Sequence, residues 1–264
     1  MKKVTYSVIL AVGLLLLYLP ILVLAFFSFT NSTTIGAVRD FSFHNYITLF
    51  TTEELRNMII GTLSLAVLSA LLATILGTLG AIGAFYSGRR SKSFMHTINQ
   101  IPVVNADVVT GFSLCILLII VMGVDKDSYI PLIVGHTVLS TPFVYLSVLP
   151  RLKSMDSYYY EAALDLGATP FQALFKVIIP AVSSGIVSGF FLAITLSLDD
   201  YFVATYTKPA AFDTISTYVV NATKGGQTDI KTALWALSTL IFVIVVLVTF
   251  AANRPSKKEV NENA

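Results

Sequence analysis

The stretch Glu161–Pro180, EAALDLGATPFQALFKVIIP, interrupts a chain whose other long segments are almost entirely apolar. Good helix formers lead up to Gly167, and glycine is a frequent stop at the C-terminal end of a helix. Directly afterwards, Thr169 suits an N-cap, Pro170 suits the first helical position, and Gln172 completes a capping box. The stretch therefore predicts two short helices joined at Gly167.

The first of these predicted helices has an acidic edge. Glu161 and Asp165 lie one turn apart, and the small residues Ala162 and Ala163 lie beside them. A helix resting on a membrane surface is one explanation, but such helices favour a basic polar face. The acidic edge and the small alanines instead favour close docking of a protein partner.

The composition indicates an integral membrane protein built of helices. Of the 264 residues, 55% are hydrophobic and 12% are charged, whereas about a quarter of the residues in soluble proteins are charged. The apolar residues form long blocks, which favours helices over an outer-membrane barrel. We expect an all-α, polytopic membrane protein with residues 1–264 forming one transmembrane domain.

Six segments are apolar enough to cross a bilayer, which takes about 20 residues. The first follows Lys3 and imitates a signal peptide, but it is too long and lacks a cleavage signal, so we expect a retained span. The six segments cover approximately 7–29, 59–86, 108–124 with a backward extension, 129–150, 181–207 and 232–252.

The basic residues concentrate in alternate loops. The N-terminus, the loops 87–96 and 151–180, and the C-terminal tail hold 11 of the 17 basic residues but only five of the 15 acidic residues. The positive-inside rule places this side in the cytoplasm, with both termini and the polar segment 151–180. A solute that enters from the other side would meet an acidic face.

Small residues recur along the second span at Ser69, Ala73, Gly77 and Ala81, every fourth position. This spacing lets helix backbones approach closely in a membrane. We expect this stripe to pack against another span, although the pattern is common and indicates no particular function.

Three carboxylates fall within predicted spans, where acidic residues are costly and are candidate functional residues. In straight helices, Asp107 would lie about 20 Å from the cytoplasmic end of its span, and Asp199 and Asp200 about 27 to 29 Å from theirs. All three could then face one pathway. Alternatively, the acidic pair marks the outer end of a shorter span, and Asp107 caps a helix broken near Pro102.

No Lys or Arg lies in either of these spans, so a cationic solute would suit the carboxylates. A polyamine needs negative charges along its length and aromatic faces for cation–π contact. Tyr201, Phe202 and Tyr206 supply rings, and Ser197 supplies a hydroxyl. The candidate pathway residues are Asp107, Ser197, Asp199, Asp200 and Tyr201.

Seven positions of the opening stretch follow a fixed spacing: Glu161, Ala162, Ala163, Gly167, Val177, Ile179 and Pro180. This spacing resembles the EAA signature of permease subunits of ATP-binding-cassette importers, in which Val177 and Ile179 are conservative departures from Ile and Leu. The Ser-x-Asp-Asp element at 197–200 is most similar to spermidine/putrescine permeases of the PotC type.

The resemblance implies a MetI-like permease fold of the type I importers, with six transmembrane helices and cytoplasmic termini. The loop 151–180 would contain the coupling helix, with Glu161, Ala162, Ala163 and Gly167 coupling it to the ATPase. Implied partners are a second homologous permease subunit, two ATP-binding subunits, an extracytoplasmic binding protein and the lipid of the bacterial cytoplasmic membrane, with no nucleic acid. ATP and Mg²⁺ would be used by the ATPase partners, and no cofactor by this chain.

Other observations bear on the alternatives. The chain has no GxxxxGK[ST] phosphate loop, so another polypeptide must handle ATP; the nearest approach is at Gly226. The three histidines have no metal-ligand spacing, Cys115 is the only cysteine, and no nucleophile and base constellation indicates an enzyme. An importer of a metal cation or another small solute remains open. So does an ion-coupled transporter that uses the intramembrane Asp residues, although it leaves the EAA segment without a purpose.

Overall fold

The computed structural model describes residues 2–30, 40–156, 158–224 and 228–252, with the backbone alone at 2–5, 8, 223, 224, 228–231 and 247–252. Within these ranges all regular secondary structure is helical, and one isolated antiparallel bridge joins Thr30 and Phe41. The tail residues Arg254, Lys257 and Lys258, and Gly226 of the phosphate-loop comparison, lie outside the described residues.

The described helices run in chain order along the sequence. They are α1 Lys2–Ser28, α2 His44–Thr51, α3 Glu53–Tyr86, α4 Arg89–Val104, α5 Asp107–Cys115 with a π-helical continuation Ile116–Val121, α6 Ile130–Ser154, α7 Tyr158–Asp165, α8 Pro170–Ala173 with a π-helical continuation Leu174–Ile178, α9 Ile179–Ala181, α10 Ser183–Asp199, α11 Phe202–Thr207, α12 Ile215–Lys224 and α13 Thr228–Ala252.

The chain forms two compact units, one of residues 1–57 and 219–264 and the other of residues 58–218. In the first unit α13 packs against α1 and α2. The ring of Phe27 meets that of Trp235 with centroids 6.0 Å apart. The Asn45 amide donates to the carbonyls of Ser28 and Thr30 at 3.0 Å each. These bonds attach α2 to the end of α1.

In the second unit α6 is the central helix, in contact with α4, α10 and α11. Glycines bring its neighbours close: a Cβ added at Gly77 of α3 would lie 2.7 Å from the Cβ of Val144, and one at Gly189 of α10 would lie 3.2 Å from the Cα of Val144. Close approach of helix backbones at small residues is how membrane helices pack. It makes the side chains of α6 the centre of this core.

The predicted stripe of small residues on α3 is confirmed as a packing face. Ser69, Ala73, Gly77 and Ala81 are all buried. A separate face of the same helix exposes large apolar side chains at the same spacing, a composition suited to lipid. These exposed residues are Leu63, Val67, Leu71, Ile75 and Leu79.

Three described helical segments are long and apolar enough to cross a membrane singly, namely Ile9–Ser28, Glu53–Tyr86 and Ile130–Ser154. Two bent pairs, Arg89–Val104 with Asp107–Val121 and Pro170–Ala181 with Ser183–Asp199, each pass together, so the described helices supply up to five spans. A shorter apolar segment, Thr232–Val246 in α13, lies where the sixth span is predicted.

The expectation of a straight helix leading to Asp107 is wrong. The pair Arg89–Val104 and Asp107–Val121 bends by 103°, because Asn105 and Ala106 adopt extended backbone angles after α4. Pro102 lies within the last turn before this break and removes a backbone N–H there. Asp107 therefore begins a new helix, as in the alternative of a broken helix.

The expectation of one continuous helix from 181 to 207 is also wrong. A bend of 70° at Val182 separates α9 from α10, and α10 ends at Asp199 before the short α11 begins. The run is apolar enough to look continuous in the sequence. The carboxylate of Asp200 nevertheless replaces helical hydrogen bonds with a cap, which starts the second helix.

Candidate coupling surface and substrate pathway

The first helix of the EAA segment, α7, ends as the glycine signal predicts. The N–H of Gly167 donates to the carbonyl of Leu164 at 2.9 Å, and the N–H of Ala168 donates to that of Ala163 at 3.0 Å. This is the Schellman arrangement, which requires a left-handed residue. Gly167 supplies it with φ of +87°. Helix α7 ends just before this glycine.

The second helix, α8, begins with the predicted capping box. The Thr169 hydroxyl accepts the N–H of Gln172 at 3.3 Å, and the Gln172 side chain accepts the N–H of Thr169 at 3.0 Å. Pro170 occupies the first helical position. The two predicted short helices are therefore confirmed, although α8 has only four residues before the π-helical segment.

The inner face of this segment is anchored to the core of the second unit. Ala163, Ala173 and Ile178 are buried. The ring of Tyr160 packs against that of Tyr86 with centroids 5.2 Å apart. Because α7 and α8 are held on this side, the opposite face keeps a defined shape.

The outer face combines acidic, small and aromatic side chains. Glu161, Ala162 and Asp165 are exposed, and Leu166 is 89% exposed at the end of α7. Phe171 is 69% exposed. Such an apolar patch beside charged groups is typical of a protein interface.

Sequence reasoning missed the aromatic part of this face. Phe171 and Phe175 lie four positions apart, and their ring centroids are 4.3 Å apart. Both are exposed. Two phenylalanines at helical spacing in a segment predicted to lie outside the membrane would have been the signal, since such residues are seldom needed in a solvated loop.

Asp107 lies at the start of α5 and is exposed. A carboxylate in the first turn is favoured by the helix dipole. The N-cap residue, Ala106, offers no side-chain acceptor, and the Asn105 amide instead donates to the Thr110 hydroxyl at 3.1 Å. Asp107 is thus held by its position and presents its carboxylate outward.

Asp199 is the last residue of α10 and is also exposed. Tyr201 follows two positions later, half-buried, with its ring centroid 5.3 Å from that of Phe202. The ring of Tyr206 lies 5.6 Å from that of Phe112 on α5. These ring pairs lie at the start of α11 and between α5 and α11.

Asp200 occupies a different environment from its neighbour, being only 8% exposed. Its Oδ1 accepts the N–H of Val203 at 3.2 Å, and its Oδ2 accepts the N–H of Ala204 at 2.7 Å. These bonds cap α11, as a carboxylate does at a helix N-terminus. The Nε2 of His136 lies 3.6 Å from Oδ2.

Ser197 is 1% exposed and belongs to the same buried network. Its Oγ lies 2.8 Å from Nδ1 of His136 and 3.2 Å from Oγ of Ser69. The network thus joins α3, α6 and α10 to the cap of α11. In the sequence His136 shows no metal-ligand spacing, and the cluster could not be predicted because its members are far apart in the chain.

The three predicted carboxylates are neighbours in the second unit. Asp107 and Asp199 are close enough to Asp200 for their charges to act on it. The helix that begins at Asp107 meets the helix that Asp200 caps, since a Cβ added at Gly111 of α5 would lie 2.9 Å from the Cα of Val203 in α11. Two carboxylates therefore face outward and one faces inward at the same helix ends.

Ser197, His136 and Asp200 have the residue types of a hydrolase triad, but their environment does not suit that chemistry. Ser197 and His136 are fully buried by the surrounding helices. A nucleophile must reach a substrate carbonyl, and no such atom can approach Ser197 Oγ here. The cluster is suited to joining helices.

Lys208, which directly follows α11, is already paired with another carboxylate. Lys208 Nζ lies 3.0 Å from Oδ1 of Asp213 and donates to the carbonyl of Phe212 at 2.8 Å. Within the described ranges, neither Asp107 nor Asp199 forms an ion pair with Lys or Arg, and no group of three or more His, Cys, Asp or Glu could hold a metal ion.

Comparison with known proteins gives relatives over most of the chain. The permease protein PotI of the putrescine transport system of Escherichia coli (strain K12) is 32% identical over 251 residues, which cover 93% of this chain and 88% of that protein. The spermidine/putrescine permease protein PotC of Haemophilus influenzae is 30% identical over 237 residues, which cover 88% of this chain and 91% of that protein.

Two solved structures share the fold at low identity. A chain of a bacterial alginate ABC transporter, crystallised in complex with an alginate pentasaccharide-bound periplasmic protein, matches with a TM-score of 0.72 at 20% identity and covers 96% of this chain and 94% of its own. A chain of an amino acid ABC transporter matches with a TM-score of 0.54 at 17% identity and covers 78% of this chain and 92% of its own.

The family comparison agrees with these relatives and with the EAA spacing. Residues 74–258 match the model described as "Binding-protein-dependent transport system inner membrane component", which includes α7, α8 and the carboxylates of α5 and α10. This family favours an importer over the ion-coupled alternative. The chain belongs to the family of binding-protein-dependent inner membrane transport components, with a MetI-like fold, and is a membrane permease of an ABC importer.

Proposed function

We propose that this permease imports polyamines, putrescine or spermidine, across the bacterial cytoplasmic membrane. An extracytoplasmic binding protein delivers the cargo, a second homologous permease completes the pathway, and two separate ATPase subunits supply the energy. In this proposal the chain acts as one six-span transmembrane domain with both termini in the cytoplasm.

The observation that carries the choice of cargo is the pair of exposed carboxylates at broken helix ends. Asp107 and Asp199 are exposed beside the buried Asp200. Carboxylates inside a membrane protein are costly unless a partner neutralises them. A polyamine has ammonium groups separated by methylenes, so separate carboxylates can each bind one.

The aromatic side chains support the same class of cargo. Tyr201 and Tyr206 lie near the ends of α10 and α11 with their rings beside Phe202 and Phe112. An ammonium group gains about 0.5 to 2 kcal/mol over an aromatic face, more when water is excluded. An anion would gain no binding energy from the carboxylates or from the aromatic faces.

The broken helices support a location for binding. In transporters, substrates bind where spans are discontinuous, because helix ends expose groups that a continuous helix would use internally. Asp107 begins a helix after the 103° bend, and Asp199 ends α10 directly before α11. Both carboxylates therefore lie at interruptions.

The ATPase subunits would dock on the exposed face of α7 and α8 and couple ATP hydrolysis to transport there. Glu161, Ala162, Ala163 and Gly167 are the coupling residues that we propose, with Ala163 anchoring the helix from inside and Gly167 shaping its end. The rigid two-helix segment would transmit motion of a bound ATPase subunit to α10, which follows it in the chain.

The test is ATPase activity and uptake by the assembled complex in proteoliposomes. The binding protein is offered spermidine, putrescine, ferric ion or sulfate in separate reactions. The proposal expects stimulation and uptake with a polyamine alone. Stimulation by ferric ion instead would assign the metal-cation alternative, and uptake that persists without ATP and collapses with an ionophore would assign ion coupling.

A further inference from the structure

The break between α10 and α11 is built around one buried carboxylate. Asp200 accepts two backbone N–H groups of α11, those of Val203 and Ala204, and both of these residues are fully buried. Its environment is therefore set from two sides, by the helix it caps and by the helix that faces it. The facing side is formed by His136 on α6.

The donors and acceptors around His136 indicate which ring nitrogen carries the proton. Ser69 Oγ donates its only proton to the carbonyl of Leu65 at 2.8 Å, so the Ser197 hydroxyl donates to Ser69 and accepts from Nδ1 of His136. The nitrogen Nε2 then faces Asp200 Oδ2 at 3.6 Å, without any hydrogen-bond partner in the described structure.

A proton is needed where these two groups face each other. A neutral ring with its proton on Nδ1 presents a lone pair at Nε2, and a carboxylate also presents lone pairs. A second proton, on Nε2 or on Asp200, turns this contact into an attraction.

The position of Asp200 also decides the position of Asp199. Asp199 is the last helical residue of α10, and Asp200 after it has an extended backbone with ψ of 125°. Asp200 lies inward between His136 and the N-terminus of α11, whereas the adjacent Asp199 is exposed. A group that holds Asp200 therefore orients the carboxylate beside it.

We propose that His136 is a positioning residue of the transport pathway, which holds Asp200 at the break between α10 and α11 and thereby keeps Asp199 directed outward beside Asp107. The proposal deepens the proposed function and rests on it, because Asp199 is taken to bind the cationic cargo. His136 itself touches no cargo, since its side chain is fully buried.

The test measures the position of residue 199 without any cargo. Cys115 is the only cysteine of this chain, so in a Cys115→Ser background Asp199→Cys is its sole thiol. Labelling is measured on this chain after it is separated from its partner subunits. The complete complex is treated with a membrane-impermeant thiol reagent, with His136 intact or changed. Thr195→Cys is the matched control, because Thr195 is exposed one turn earlier on α10.

We expect His136→Leu to slow labelling at position 199 about tenfold, because Asp200 Oδ2 then faces an apolar side chain in place of a polar one, and to leave position 195 unchanged. His136→Gln should restore labelling, because its amide reaches the place of Nε2. His136→Asn should not, because its amide reaches only the place of Nδ1. An equal labelling rate at position 199 with His136, Leu, Gln and Asn at position 136 overturns the proposal.

Two further readouts separate positioning from folding and from cargo choice. With Asp199 present, His136→Leu should raise the KM for putrescine uptake about tenfold at an unchanged amount of assembled complex. If the His136→Leu complex does not assemble, the labelling rate and the KM of the His136→Gln variant are compared with those of the His136→Asn variant. Equal rates and equal KM values in these two variants overturn the proposal. If the parent complex takes up no polyamine, the proposed function fails, while thiol labelling still tests His136.

Discussion

Asp199 is exposed, whereas Asp200, the next residue, is buried with its carboxylate bonded to the first turn of α11. The two adjacent acids therefore have different tasks in the same helix break. Among the described residues one forms no ion pair, and the other caps α11. This difference leads to separate expectations for their substitution.

Substitution of the exposed carboxylates should weaken cargo binding and leave assembly intact. We expect Asp199→Asn and Asp107→Asn each to raise the KM for polyamine uptake about tenfold, because each removes one charge-assisted contact worth about 1.5 kcal/mol or more. Uptake of labelled putrescine and co-purification of the partner subunits measure the two effects. Unchanged uptake in both variants would assign these carboxylates a structural role.

Substitution of the buried carboxylate should reduce stability. Asp200→Ala removes the cap of α11 and leaves the N–H groups of Val203 and Ala204 without their acceptor. The loss of a cap costs about 0.5 to 2 kcal/mol, so the apparent melting temperature of the purified chain should fall. Asp199→Ala is the matched control, and an equal fall in both variants would contradict the distinction.

Charge reversal on the exposed face of α7 should uncouple the ATPase from transport. Glu161→Lys replaces the acidic edge by a cation, and like charges on the partner would then repel it. We expect loss of co-purified ATPase subunits and of uptake. Glu54→Lys makes the same change at an exposed position in the first turn of α3 and should leave both readouts unchanged.

Gly167 should resist substitution because of its backbone angle. With φ of +87°, any side chain adds strain, and a left-handed conformation costs a non-glycine residue roughly 1 to 2 kcal/mol. Gly167→Ala should lower the melting temperature and weaken ATPase docking. Gly13→Ala, with nothing within 4 Å of the new Cβ, should be neutral or slightly stabilising because alanine favours helix.

Gly77 should be intolerant of even one added carbon. Its Cβ would lie 2.7 Å from the Cβ of Val144 and 2.9 Å from the carbonyl oxygen of Thr141. Overpacking of this kind costs roughly 1 to 3 kcal/mol, so Gly77→Ala should lower the melting temperature of the chain. Gly83→Ala on the same helix, where the nearest atom is 3.9 Å away, provides the comparison.

The helical membrane class and the two-helix EAA segment could be predicted from the sequence because their signals are local. A capping box needs only Thr169 and Gln172, three residues apart, and a helix stop needs only Gly167. The stripe from Ser69 to Ala81 likewise follows from helical spacing on one element. These interactions join neighbours in the chain, so residue type and spacing determine them.

The helix breaks and the orientation of each carboxylate were decided only by the tertiary structure. Asp199 and Asp200 are adjacent in an apolar run, yet only Asp200 is buried, where it faces His136, 64 positions earlier. Likewise, the start of a helix at Asp107 accompanies the packing of α5 against α11 at Gly111. Contacts between residues far apart in the chain leave no local pattern, so the sequence determined the helical class and the caps of the EAA segment, and packing between helices determined the breaks and which charges face outward.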